Sequence, residues 1–303
     1  MEKHTNTVVD LEYGNETAEV IKIMAEYKYG NSKTLYLSNM NITSLPELPE
    51  GLQELYCQNT KIRKLPDLPS TLLYLCCHTN KITSLPPLPQ GLKFLNCQHT
   101  SLVTLPELPC ELEILCCQDT QILHLPELPN KLKELFCTSN KITSLPNLPN
   151  SLRRLSCWDT QLIILPKLPN GLTNLSCDNT LITSLPELPA SLKYLSCEKN
   201  QLTHLPKLPS TLITLLCNNT ILKVLPDLPP NLQSLYCQNT ALTILPDLPP
   251  SLLYLETFGT PLYVTQNDEE NIADYNKRWL IWRCQKRCLD IKQELMAKCW
   301  SYS

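Results

Sequence analysis

Glycine is scarce in this chain, with six residues among 303, whereas proline is abundant at 26. Flexible, glycine-rich connections are therefore excluded, and stiff, extended ones are expected in their place. No run of 18 apolar residues occurs, so no transmembrane helix is expected. The opening stretch MEKHTNTVVDLEYG lacks the apolar segment of a secretory signal. A soluble, intracellular protein without a membrane span is the expectation. Charge of one sign is also lacking: the formal net charge is −3, which gives no general attraction to nucleic acid or anionic lipid. No nucleic-acid partner is expected. The sequence shows no Ser/His/Asp set, no phosphate-binding glycine loop and no paired-acid constellation, so no enzymatic activity and no cofactor are expected.

What is present is a strict period. Leu55, Leu75, Leu95 and their successors to Leu255 recur every 20 residues without insertion or deletion. Each unit reads L-x-x-L-x-C-x-x-(T/N)-x-(I/L)-x-x-L-P-x-L-P-x-x, as in Leu72, Leu75, Cys77, Asn80, Ile82, Leu85, Pro86, Leu88 and Pro89. The alternating L-x-C step predicts a short strand with Leu75 and Cys77 inward and residues 74, 76 and 78 outward. Twelve such strands would stack into a parallel sheet on the order of 55 Å long, at about 4.8 Å per strand. The L-P-x-L-P step cannot be helix interior, because proline lacks the amide proton and disfavours helical geometry in the residue before it. Extended or polyproline-like backbone on the convex side is predicted, with its leucines buried.

The fold class expected is thus a solenoid of about 11 or 12 units over residues 35–260, with short helical caps at both ends. Residues 1–34 form the amino-terminal cap, with an amphipathic pattern over 15–29. Residues 261–303 form the carboxy-terminal cap or tail, with a stronger helical pattern over 268–299 that includes Ile272, Trp279, Trp282, Ile291 and Leu295. The Thr/Asn column that ends each strand, Thr60 to Thr260 with Asn80, Asn140 and Asn200, is expected to satisfy buried backbone groups.

This repeat resembles the shortest leucine-rich-repeat subtype, the L-P-x-L-P class found in secreted effectors of enteric bacteria, over residues 35–260. On its cysteine-rich strands and short tails the chain also resembles leucine-rich-repeat proteins of amoebal giant viruses. Two departures are plain. Cysteine stands where the bacterial subtype has Val or Ile, and mostly Thr stands where it has Asn. The resemblance implies a non-enzymatic scaffold that binds a protein partner, placed in the host cytoplasm if the chain is an effector or viral. It also brings an alternative: an adaptor or remnant of a ubiquitin-ligase effector system whose tail recruits a catalytic partner. Cys288-Leu289-Asp290 has the Cys-x-Asp spelling of such ligases, but the 43 residues after Thr260 are too few for their catalytic domain.

Ten of the 16 cysteines, Cys57 to Cys237, share one repeat position and face the same way, which is poor geometry for disulfides. They are expected to be reduced, buried and inert, each acting as a small apolar side chain. Cys76 and Cys116 are offset by one residue and are expected on the concave face, where His78 and His99 join them in the one arguable metal cluster. Zinc needs about four close ligands, and no second close pair is supplied, so no metal is expected. The exposed columns carry the functional signal. Tyr74, Phe94, Phe136, Trp158, Tyr194 and Tyr236 line the concave face and form the expected partner-binding surface, since rigid aromatics bury much area at low entropic cost. A neighbouring column is basic at Lys93, Lys133, Arg153 and Lys193, with Glu113 interrupting it, and the convex motif is acidic at Glu107, Glu127 and Glu187 among others.

Overall fold

The computed structural model describes residues 33–261. They form one parallel sheet of 12 strands in sequential order, from β1 (Thr34–Tyr36) and β2 (Glu54–Tyr56) to β11 (Ser234–Tyr236) and β12 (Tyr254–Glu256). Each strand is three residues long and pairs in register with its image 20 residues away, Leu35 opposite Leu55 and Leu235 opposite Leu255. Both segments read as helical caps lie outside the described residues.

The short strand follows from the period. One inward leucine per strand is flanked by backbone groups that bond to both neighbouring turns. The ladder continues past the strand, where the Cys57 amide donates to the Cys76 carbonyl at 2.9 Å and the Asn59 amide to the His78 carbonyl at 3.0 Å. The convex side is extended and contains no helix among the described residues. There the second proline of each motif closes a turn, with the Leu72 amide donating to the Pro69 carbonyl at 3.0 Å and the same bond recurring to Leu252 and Pro249. Where a hydroxyl follows that turn it ties the unit to the one before, as Ser151 Oγ does to the Leu132 carbonyl at 2.6 Å and Thr211 Oγ1 to the Leu192 carbonyl at 2.8 Å.

The core is a single column of leucines, isoleucines and cysteines. Leu52, Leu55, Cys57 and Ile62 are fully buried, and their equivalents to Leu232, Leu235, Cys237 and Leu242 are too. The thiols also bind across units: Cys137 Sγ donates to the Ser156 carbonyl at 3.6 Å and Cys217 Sγ to the Tyr236 carbonyl at 3.3 Å. That bond distinguishes Cys from the Val or Ile of the related subtype. Burial pushes the thiols up, to about 12 at Cys97, Cys137 and Cys237, so they are protonated at neutral pH.

The Thr/Asn column does what its polarity suggests. Thr160 Oγ1 donates back to the Cys157 carbonyl at 2.8 Å. Asparagine spans two units: Asn140 Nδ2 donates to the Cys117 carbonyl at 2.8 Å and the Cys137 carbonyl at 3.2 Å, while Oδ1 accepts from the Thr120 amide and hydroxyl at 2.8 Å each. Asn80 and Asn200 repeat the arrangement. One residue earlier the chain turns through left-handed backbone in every unit, with φ between 49° and 63° at Asn39, Asn59, Thr79, His99, Asp119 and the others to Asn239. Only Gly259 occupies this column as glycine.

Candidate protein-interaction face

The residues before and after each strand leucine point away from the core, together with the residue two further on, so three columns build one concave face. Tyr74 and Trp158 stand exposed on it, at 38% and 41% of their surface. Phe94, Phe136 and Tyr194 are half-buried. Tyr74 packs against Phe94 with ring centroids 6.2 Å apart, and Tyr36 stacks on Tyr56 at 5.0 Å. Tyr236 differs from the expectation of exposure: it keeps 8% of its surface, set between Leu216 and Glu256 in register.

Two further expectations are corrected. Cys76 is buried at 3% exposure, because the small thiol sits between the larger Tyr56 and Asn96 in register. His78 is likewise buried. Its Nδ1 meets Thr79 Oγ1 at 2.9 Å, its Nε2 has no hydrogen-bond partner, and burial lowers its pKa to about 4, leaving the ring neutral at pH 7. His99 instead faces Asp119 at 2.5 Å, and among the described residues no group of three or more His, Cys, Asp or Glu side chains is placed to hold a metal. Among the described residues the exposed thiol is Cys110, in a convex turn, and Cys116 is half-buried.

Charge is distributed unevenly along the face. In the basic column Lys133 pairs with Glu113 at 2.5 Å, and in the column beside it Arg154 approaches Glu134 at 3.7 Å. The Glu113 that interrupts the column in sequence is therefore the partner of Lys133 in space. Arg153 turns back to the Asn150 carbonyl at 2.9 Å. Beyond residue 170 the face carries carboxylates that the column-by-column reading of aromatics passed over. Asp178 accepts from Ser176 Oγ at 2.8 Å, Ser196 Oγ at 2.5 Å and the Glu198 amide at 2.7 Å. Glu198 accepts from Asn218 Nδ2 at 2.7 Å, Asn218 Oδ1 from the Gln238 amide at 2.7 Å, and Glu256 from Gln238 Nε2. Burial, then the charge of Asp178, pushes the Tyr194 phenol up, and burial, then Glu198, raises Glu256. Following the Gln58, Gln98, Gln118 column onward to Asp178 and Glu198 is the signal that would have found this relay.

No protein-family model and no curated protein matches the chain. Solved structures do. YopM from Yersinia enterocolitica is 39% identical over 73% of this chain, with a TM-score of 0.72. A Shigella effector leucine-rich-repeat domain is 32% identical and 80% covered, with a TM-score of 0.52. The chain belongs to the leucine-rich-repeat proteins of the twenty-residue effector subtype. YopM from Yersinia pestis, described as a leucine-rich effector protein, is 28% identical over 82% of this chain and 83% of its own, at a TM-score of 0.67. The chain spans 49% of the length of the Yersinia enterocolitica protein, and 56% of the chain aligns with the Shigella domain. No helix among the described residues is long and apolar enough to cross a membrane.

Proposed function

We propose that this leucine-rich-repeat chain is a non-enzymatic scaffold that seats a protein partner on its concave face, with Tyr74, Phe94, Phe136, Trp158 and Tyr194 as anchors and the Tyr236 rung as a buried floor. The observation that carries this reading is the sheet face itself. It is rigidly registered over 12 strands, bears exposed aromatics at Tyr74 and Trp158, and no other described element covers it. Aromatic side chains on a pre-organised surface bury large areas while losing few rotamers, which is the usual basis of a binding hot spot. The fold is shared with effector proteins, and action in a host cytoplasm is part of the same reading. An adaptor role, in which residues 261–303 recruit a ubiquitin-ligase partner, is the second reading; it draws on the Cys288-Leu289-Asp290 spelling and is tested by ubiquitin-discharge assays.

The experiment identifies a partner by cross-linking with mass spectrometry in host-cell lysate, then measures its affinity for variants. Tyr74→Ala, Phe94→Ala and Trp158→Ala should each weaken binding by roughly 10- to 30-fold, the loss typical of interface anchors. Glu107→Ala, Glu127→Ala and Glu187→Ala, exposed on the convex motif, should leave it unchanged. Equal binding by both sets, with circular dichroism unaltered, overturns the concave-face assignment.

A further inference from the structure

The concave face has two electrostatic halves. All four ion pairs among the described residues lie between positions 99 and 154. From β8 (Asn174–Ser176) through β9 (Tyr194–Ser196) and β10 (Thr214–Leu216) to β12, Asp178, Glu198 and Glu256 are half-buried beside Tyr194, Leu216 and Tyr236. The groups seen donating to Asp178 and Glu256 are hydroxyls and amides. Neutral donors orient a carboxylate but leave its charge in place. A half-buried carboxylate is screened less by salt than an exposed one, so this half projects a negative field from a partly apolar floor.

The same chain carries the complementary sequence. Residues 277–287 read KRWLIWRCQKR, with Lys277, Arg278, Arg283, Lys286 and Arg287, no acid, and Trp279 and Trp282 between them. We propose that segment 277–287 of this chain docks on the β8–β12 half of its own concave face, as an internal occupant that any partner of that half must displace. The inference needs only the chain's own residues, so it stands or falls separately from the scaffold reading.

Reach permits it. Fifteen residues lie between Pro261 and Lys277, and over those 16 steps extended chain covers at most about 3.3–3.6 Å each, or roughly 55 Å. Four strand spacings from β12 back to β8 amount to about 19 Å, so the connection can round the edge of the sheet. A tether this short also holds the segment at an effective concentration near the millimolar range. Chemistry favours the pairing on both counts: guanidinium groups meet the carboxylates and stack on tyrosine faces, while indoles cover the apolar floor. The opposite half suits the segment less well, because Lys93, Lys133, Arg153 and Arg154 there outnumber Glu113 and Glu134, whereas around β8–β12 Lys193 stands against Asp178, Glu198 and Glu256. Residues 1–32 are no competitor, since they carry six carboxylates against three lysines.

Limited trypsin digestion of the full chain tests this, scored by mass spectrometry at Lys277 and Arg278. Docking protects these sites. The double variant Asp178→Asn, Glu256→Gln should be cut there roughly tenfold faster, as the loss of two or three partly desolvated charge pairs would give. A control double variant, Asp227→Asn with Asp247→Asn on the exposed convex motif, should be cut at the original rate. Arg283→Glu with Arg287→Glu alters the segment alone and should give the same acceleration without touching the array, which keeps the test decisive if the first variant folds poorly. Unchanged cleavage in a folded variant overturns the proposal, because a segment held only by apolar packing on the last repeat ignores these charges. Protection that disappears on hundredfold dilution also overturns it, since a second copy would then be the occupant.

Discussion

The inward and outward columns of this solenoid obey different rules. Inward, Leu55, Cys57 and Ile62 recur with almost no variation to Leu235, Cys237 and Leu242, and all are fully buried. Outward, the residue after the strand leucine runs Tyr56, Cys76, Asn96, Cys116, Phe136, Ser156, Ser176, Ser196, Leu216, Tyr236, Glu256. Every inward side chain meets its own image one unit away, so a change at one rung must fit two identical neighbours. An outward side chain meets solvent on one side and has that freedom. The inner columns therefore hold stability, and the outer ones are where recognition can be written. Each prediction below asks how sharply that division holds.

The largest expected effect is alkaline collapse of the interior. The ordinary thiol value is near 9, and burial raises the repeat cysteines to about 12 at Cys97, Cys137 and Cys237, with the others raised as well. A raised folded value means the stabilisation is fully present below pH 9 and is lost as pH climbs toward 12. Each thiol forfeits about 1.4 kcal/mol per pH unit in that window. Ten of them in one column forfeit on the order of 10 kcal/mol near pH 10, as much as a typical domain's whole stability. Circular dichroism should show cooperative unfolding near pH 10, accompanied by a burst of thiol reactivity. Before that burst, Cys110 should be the described thiol that reacts fast. Replacing Cys117, Cys137, Cys157 and Cys177 by Val should raise the midpoint by on the order of 0.5 pH unit; a midpoint that does not move would assign the collapse to surface groups and break the comparison.

A smaller effect separates the two kinds of inner polar rung. Asn140 satisfies groups in two units, Thr160 in one. Asn140→Ala strands the Thr120 amide and weakens the bonding of two carbonyls, which should cost about 3 kcal/mol, against about 1 kcal/mol for Thr160→Ala. Urea unfolding monitored by circular dichroism measures both, and equal losses would show that the asparagines add nothing beyond the threonine bond.

Much of this architecture was legible because the period is unbroken. A 20-residue repeat without insertion forces Leu35 opposite Leu55 and so on, and the inward position of Leu75 and Cys77 follows from alternation alone. The same alternation misplaced Cys76, His78 and Tyr236, since pointing outward does not mean being exposed. Exposure depends on the height of the neighbours 20 residues away: Tyr56 and Asn96 flank Cys76, and Leu216 and Glu256 flank Tyr236. The relay through Asp178, Glu198, Asn218, Gln238 and Glu256 was hidden for a related reason. Its members change residue type from rung to rung, so no single column announces it.

The left-handed turn is the hardest feature to read and gives the smallest predicted effect. Its residues include Thr79, His99, Ser139 and Lys199 beside the more permissive Asn and Asp. Left-handed backbone costs an ordinary L-residue about 1–2 kcal/mol, while Asn adopts it more readily. Asn also ladders between units here, as Asn59 Nδ2 does to Asn39 Oδ1 at 2.8 Å and Asn239 Nδ2 to Asn219 Oδ1 at 3.0 Å. Lys199 lies at φ 54° between Asn179 and Asn219, exposed, with a side chain that cannot accept a hydrogen bond. Lys199→Asn relieves part of the backbone cost and completes a rung on each side. A gain of about 0.5–1 kcal/mol is expected, seen as a rise of roughly 1–3 °C in the thermal midpoint. An unchanged or lower midpoint would mean that the turn is held by the sheet ladder alone, and that this rim column is as indifferent to residue type as the concave face it borders.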